Sequence, residues 1–503
     1  MAMDYDLIVI GAGIAGLSAA ALLAKDGYRV LVLEAHIEPG GCASSYQRKR
    51  PNGEHYIFDV GATVFAGFRP GGAHYWLGQK LGLTWPIRPV NPAMQVWLPD
   101  LRVTRWGDER WIAERQRLCL SQAWEAEQFW REQEHLAEVA WRFAGRMPAM
   151  PPESLADLGQ LITRIRPEML GLLPALPRTV KHALNRHKVD DRRIRTFIDG
   201  QLLISAQSSH AECAWLYGAV ALDLARIGTY YVEGGAWNLA KTLEQALLKA
   251  GGEIRYRQKV SQIQTDLGQV VGVTTEQGER FRTKQVIANT TVWDLAELID
   301  QPPSWMLRRT IKAVPQGWGA ATLYLGIDEA AIPQGLAEHH QIIANYDQAL
   351  GEANSVFISL HPADDASRAP AGQRAMTVST HTDVGRWWHW RQTDPARYRA
   401  EKIAMAERML DTVALAMPSI RQHIRYQQIG TPVSFARYTQ RKRGMVGGLP
   451  QWRSVSGLLS LGPQAARING LWLVGDSTFP GQSTAAVTQS AIQVYQKIRR
   501  ADR

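Results

Sequence analysis

Cysteine is scarce: the 503 residues hold three, Cys42, Cys119 and Cys213, widely separated and with no CxxC pair. That excludes a disulfide framework and a cysteine-built zinc site, and it fits a reducing, cytosolic compartment. No stretch approaches the roughly 18 apolar residues of a transmembrane helix. The apolar stretch after Met1 follows Asp4 and Asp6 and contains glycines, which reads as a strand and a helix and not as a signal peptide. HExxH, GxSxG and clustered Cys/His pairs are absent, which removes zinc-peptidase and serine-hydrolase chemistry. The net charge of +10 would suit nucleic acid or an anionic surface. Zinc-finger spacing, an RNP signature and a Lys/Arg block are lacking, however, so no nucleic-acid partner is expected. Internal repeats and low-complexity segments are lacking too.

What is present is a folded, glycine-rich chain. Hydrophobic residues make up 45% and charged residues 21%, and the length exceeds one ordinary core, so two or more domains are expected. Tyr5–Ile10 reads as a buried strand, Gly11–Gly16 as a turn, Leu17–Lys25 as a helix and Arg29–Glu34 as a second strand. This is a βαβ unit, and its turn carries GxGxxG in the proper context. Gly11 permits the tight turn, Gly13 lets the backbone reach a pyrophosphate, and Gly16 lets helix and strand pack closely. The helix N-terminus offers free N–H groups and partial positive charge to the phosphates. Glu34 ends the second strand, where a carboxylate takes ribose hydroxyls and repels the 2′-phosphate of NADP.

Further glycine segments favour FAD over NAD. Pro39-Gly40-Gly41 offers a second close approach, and Phe58-Asp59-Val60-Gly61 follows. Near the C-terminus a short strand over residues 470–475 ends in Gly475-Asp476, and Ser477–Gln482 leads into a helix at Ala485–Ile498. An Asp delivered by a strand end beside a helix N-terminus can hold a ribityl hydroxyl while the helix dipole faces the flavin.

Residues 72–226 read as mostly helical, with a long helix at Ser121–Phe143 and a run of prolines after it. A Gly-Gly turn and helix follow over 233–251. Strands alternate from Glu253 to Ala288, with turns at Asp266-Leu267-Gly268 and Glu276-Gln277-Gly278. Strands near Ala320–Leu325, Val356–Leu360 and Ala375–Ser379 precede a helix at Ala396–Leu415.

The motifs together resemble the FAD-dependent amine oxidase-like superfamily, and within it the carotenoid desaturase and isomerase branch. The resemblance rests on GAGIAGLSAAALLAKDGYRVLVLEA, PGG at 39–41, DVGATVF at 59–65, residues 230–263, VIANT at 286–290 and LWLVGDSTFPGQSTAAVTQSA at 471–491. Overall likeness is greatest to the carotenoid C-3′,4′ desaturases of cyanobacteria. The resemblance implies an α/β chain with a discontinuous Rossmann-type FAD domain in pieces 1–75, 225–295 and 430–503. It further implies a helical, membrane-docking region at 76–224 and a substrate domain of mixed sheet and helices at 296–429. Gly11, Gly13, Gly16 and Glu34 look like the pyrophosphate and ribose contacts, Gly40 and Gly41 like the loop over the phosphates, and Val260 like the backbone contact to adenine. Asp476 looks like the ribityl contact, and Gly61, Gly475, Gln482 and Ser483 complete the expected cofactor set. Cys42 stands where many amine oxidase-like relatives carry Arg, and Ala491 where Gly is frequent; both departures weaken an amine oxidase more than a carotenoid enzyme.

The expected reaction removes two hydrogens from a carotenoid end group, one as hydride to flavin N5, with no metal. The final electron acceptor is not identified by any motif. The proton acceptor is open among His55, His74 and His210. Trp387, Trp388 and Trp390 suit either core packing, an apolar tunnel or a membrane-interface belt. Residues 161–195 mix Leu161, Ile162, Ile165, Met169, Leu170, Leu172, Leu173, Leu176 and Val180 with Arg164, Arg166, Arg178, Lys181, Arg186 and Lys188. That pattern suits peripheral docking on the cytoplasmic face of an anionic bilayer, where a carotenoid resides. A carotene cis-trans isomerase, an amine oxidase and a non-catalytic GDI-like prenyl-binding protein are the alternatives.

Overall fold

The computed structural model describes residues 3–502. Leu7–Ile10 is the central strand of a five-stranded sheet, and all four residues are buried. An unbroken apolar strand is what a parallel sheet covered on both faces requires. Every pairing in this sheet is parallel, in the order Leu471–Leu473, Val286–Ala288, Leu7–Ile10, Val30–Glu34, Glu253–Tyr256. Strands far apart in the chain thus lie side by side: Ile10 pairs with Ala288, and Ala288 with Leu473.

Helices Ile14–Lys25, Trp237–Lys249 and Thr484–Ala501 cover one face, packing Leu17, Leu239, Leu243, Ile492 and Ile498 into a common core. An antiparallel meander, Val260–Asp266, Gln269–Thr275 and Arg280–Arg282, covers the other through Ile263, Val273 and Phe281. The first helix starts at Ile14, not Leu17, so Gly16 lies inside it. Gly13 is its cap residue and has no side chain to occupy the first N–H groups.

A second sheet has seven strands. Their order is Ile424–Gly430, Gly319–Asp328, Gln373–Thr382, Ser355–Leu360, His339–Ile343, Met94–Leu98, Leu101–Arg105. One pairing is parallel, that of His339–Ile343 with Met94–Leu98. Strand alternation divides the faces. Leu323, Leu325, Met376 and Val378 pack against Met405 and Met409 of helix Pro395–Ala414. Thr322, Tyr324, Thr377 and Ser379 point the other way, into a cavity.

Helices fill much of 110–227 around Phe129, Trp130, Phe197 and Trp215. The mostly helical expectation for 76–224 needs correction at its start, where Ile87–Val90, Met94–Leu98 and Leu101–Arg105 are strands. The last two form a hairpin around Pro99-Asp100, and pairing with the large sheet overrides the helical character of the residues that follow. The tryptophan cluster is packing: Trp387 and Trp390 meet edge-to-face at 5.4 Å in the core behind the sheet, and the indole of Trp387 donates to Thr382 at 2.8 Å.

Candidate cofactor and substrate site

The glycine turn is built by close backbone approach. Gly11 has a φ of +92°, reachable without strain by glycine, and its N–H donates to Leu33 at 2.8 Å. A Cβ on Gly16 would lie 2.2 Å from the Gly11 carbonyl oxygen, and one on Gly13 would lie 2.5 Å from the Asn289 amide. Gly13 lines the cavity and Gly16 does not, so Gly16 serves packing and not ligand contact. Gly40 and Gly41, at φ +112° and +56°, fold against the turn, and the Gly40 N–H donates to the Ala12 carbonyl at 2.9 Å. Gly61 stands beside them, its chain tied to Cys42 by the Ala62 N–H at 3.1 Å.

Glu34 accepts from the Ala12 N–H and the His36 N–H, each at 2.7 Å, while still lining the cavity. Two backbone donors fix the carboxylate at the mouth of the turn. Val260, Gln258 and Thr290 line the same end. The Gln258 side-chain oxygen and the Thr290 hydroxyl are buried there without a hydrogen-bond partner among the described residues. Unpaired buried polar atoms are costly, and a polar ligand at this end would satisfy them.

Gly475 and Asp476 close the site from the C-terminal side. The Gly475 N–H donates to Ser490 at 2.9 Å, and Asp476 pairs with Arg441 at 2.9 Å. Ser483 caps the final helix, its hydroxyl accepting from Ala486 at 3.1 Å, and Gln482 donates to the Ile204 carbonyl at 3.0 Å. The helix N-terminus thereby faces the cavity. Glycines that a Cβ would jam, the uncapped N-terminus of the first helix, a fixed carboxylate and orphaned polar atoms fit a dinucleotide. The sequence singles out no role for Arg441, which lies in the run Gln440-Arg441-Lys442-Arg443.

One cavity of about 2250 Å³ runs from this cradle to the helical region. Ligand pockets commonly measure ~300–1,000 Å³, so a dinucleotide leaves much of it free. Beyond the cradle its wall is formed by the floor of the seven-stranded sheet and by Tyr217, Val220 and Leu224. It ends at Leu161, Ile165, Met169, Leu172, Leu173 and Leu176. The residues differ from the tryptophans considered for a tunnel; leucines, Ile165 and Met169 line the helical end.

None of the three histidines weighed from sequence lines this cavity. His74 is fully buried, stacked on Phe68 at 4.5 Å, and burial pushes its pKa down to about 3. His210 is held by Asp199 at 2.8 Å, and His55 contacts the Ser367 carbonyl at 3.2 Å. His381 on the sheet floor does line it, edge-on to Trp318 at 5.9 Å, with its pKa lowered by burial to about 4. Its position in an alternating strand is the one clue the sequence held.

The apolar and basic segment divides in two. Helix Leu155–Arg164 and the 3-10 stretch Pro167–Ala175 leave Leu155, Leu158, Ile162, Leu170 and Leu173 exposed. From Val180 onward the segment is structural: Val180, Ala183 and Leu184 are buried, and Arg186 pairs with Glu132. The exposed patch thus starts earlier and ends sooner than residues 161–195. No helix among the described residues is long and apolar enough to cross a membrane.

Comparison with known proteins agrees with this geometry. The family model described as flavin containing amine oxidoreductase matches residues 14–494. Chloroplastic prolycopene isomerase of Arabidopsis thaliana is 28% identical over 98% of this chain and 82% of its own. The zeta-carotene-forming phytoene desaturase of Myxococcus xanthus is 26% identical over 98% and 93%. Among solved structures, putrescine oxidase bound to putrescine shares the fold at a TM-score of 0.64 with 14% identity, over 99% of both chains. The chain therefore belongs to the flavin containing amine oxidoreductase family, and its cofactor is FAD.

Proposed function

We propose that this protein is an FAD-dependent oxidoreductase acting on a carotenoid, and that its net reaction is C-3′,4′ desaturation of an end group. The observation that carries the reading is the single cavity joining the dinucleotide cradle to the exposed apolar patch at 155–176. Its far end combines leucines, Ile165 and Met169 with arginines, and the acids lining the cavity, Glu34, Glu38, Glu276, Asp294, Glu297 and Asp476, belong to the cradle side. A cationic amine would find Arg105, Arg142 and Arg146 there instead, which disfavours an amine oxidase. The intact cradle likewise disfavours a non-catalytic GDI-like role.

FAD, when bound, supplies the hydride-accepting centre. Gly11, Gly13, Gly40, Gly41 and Gly61 would admit its close approach, Glu34 would take ribose hydroxyls, Val260 would meet the adenine, and Gly475, Asp476, Gln482 and Ser483 would hold the flavin half. The protein's remaining task is to align a long polyene and exclude water. His381 is neutral above its lowered pKa and is the candidate proton acceptor on the sheet floor. Leu155, Leu158 and Ile162 dock on the bilayer surface, with Arg166 and Arg178 near anionic headgroups, on the cytoplasmic side.

A second reading is a carotene cis-trans isomerase, favoured by relatives named prolycopene isomerase that match at 28% identity over nearly the whole chain. Mass spectrometry of the product separates the two. Desaturation lowers the carotenoid mass by two hydrogens and red-shifts its absorption. A change of cis-trans composition at constant mass would sink desaturation and leave isomerisation.

A further inference from the structure

An FAD diphosphate brings negative charge to a site that already holds Glu34, Asp294 and Asp476. Uncompensated, like charges in a buried site repel strongly. Most cations lining the cavity are engaged elsewhere. Lys259 pairs with Glu276 at 2.7 Å, and Arg48 donates to Gln428 on the sheet floor. Arg69, Arg142 and Arg146 line the helical end. Arg441 is different. Its guanidinium pairs with Asp476, the residue after Gly475, and its charge also acts on the Cys42 thiol after Gly40-Gly41.

The chain builds a holder for this side chain. Helix Pro432–Thr439 stops at Gln440, in the left-handed region at φ +56°, and the loop then wraps back. Arg441 Nε donates to the Met445 carbonyl at 2.8 Å and Nη2 to the Gly447 carbonyl. A Cβ on Gly444 would lie 1.8 Å from the Pro432 carbonyl oxygen, so this loop path demands glycine. Nη1 makes no hydrogen bond among the described residues. Burial alone would lower the guanidinium pKa, but Asp476, Cys42 and Asp294 outweigh it and keep the group charged. As a stability device such a pair is poor, since desolvation offsets most of the attraction. As a preorganised anion partner it is well made.

We propose that Arg441 is a cofactor-binding residue, whose guanidinium balances the FAD diphosphate and fixes the Asp476 carboxylate for the ribityl chain. The second role rests on the reading of Asp476 given above; the first does not. The test is titration of FAD and of riboflavin, which lacks phosphate, into the deflavinated full-length chain, followed by flavin fluorescence. Arg441→Met should weaken FAD by roughly 10- to 100-fold, the worth of one or two charge-assisted hydrogen bonds, and riboflavin by less than about threefold. Arg441→Lys keeps the charge without the fork, so FAD should weaken less and the preference for FAD over riboflavin should survive. The double variant Arg441→Met with Asp476→Asn should still discriminate poorly between the two flavins. Equal losses for both flavins in Arg441→Met, a lysine variant without the preference, or a double variant with wild-type FAD affinity would each overturn the assignment and reduce Arg441 to a partner of Asp476.

Discussion

Lys497, on the final helix of the cofactor side, places its ammonium 2.6 Å from the carboxylate of Asp157 in the helix Leu155–Arg164 that carries the exposed apolar patch. Glu153 adds a second contact at 2.7 Å, and Arg500 reaches Asp157 at 2.8 Å. The patch is thus bolted to the same helix whose other end faces the cofactor cradle. Lys497→Met should leave two largely buried carboxylates short of a partner, at a cost of about 3 kcal/mol. The expected result is a lower melting temperature and faster proteolytic cutting within residues 151–177. Unchanged cutting and melting would show that Arg500 alone holds the segment.

Glu34 accepts two backbone N–H groups, so it organises the glycine turn while lining the cavity. Glu34→Arg should abolish tight FAD binding. Glu34→Gln, which keeps an acceptor but loses the charge, should weaken it by roughly 1–3 kcal/mol. Flavin absorbance per mole of purified protein reads both. Full flavin content in the arginine variant would refute the ribose assignment.

Leu155, Leu158 and Ile162 are exposed and do not line the cavity. Replacing all three by Asp should abolish sedimentation with anionic liposomes, because each apolar side chain contributes up to ~1.5–3 kcal/mol on full burial. Wild-type binding should also weaken in high salt, since headgroup attraction is about 1 kcal/mol per Lys or Arg. A wild-type chain that ignores both anionic and neutral liposomes would remove the membrane role.

Burial lowers the pKa of His74, His339 and His361 to about 3 and that of His340 to about 4. Unfolded histidine takes up a proton near pH 6.5, whereas these do so only at much lower pH. Between those values the unfolded chain binds more protons, so stability falls as pH falls below about 6.5. Each group contributes about 1 kcal/mol of loss per pH unit in that window. Melting curves from pH 7 to 5 should show a steep decline, and His74→Phe should make it shallower. An unchanged slope in that variant would mean His74 is protonated normally in the fold.

The sequence by itself determined the cofactor half. The βαβ unit, the GxGxxG turn and Glu34 fall within 30 residues of one another, where strand period, helix start and turn chemistry are local. Gly475-Asp476 was legible because it ends a strand and opens a helix. Tertiary structure alone decided what depends on chain segments meeting. It put Ala288 between Ile10 and Leu473, and it paired Met94–Leu98 with His339–Ile343 across nearly half the chain. It brought Arg441 to Asp476 and, across 340 residues, Lys497 to Asp157. It also separated His381, on the cavity floor, from His74, sealed behind Phe68. Burial and long-range pairing set charge state and access, and neither has a period that can be read along the chain.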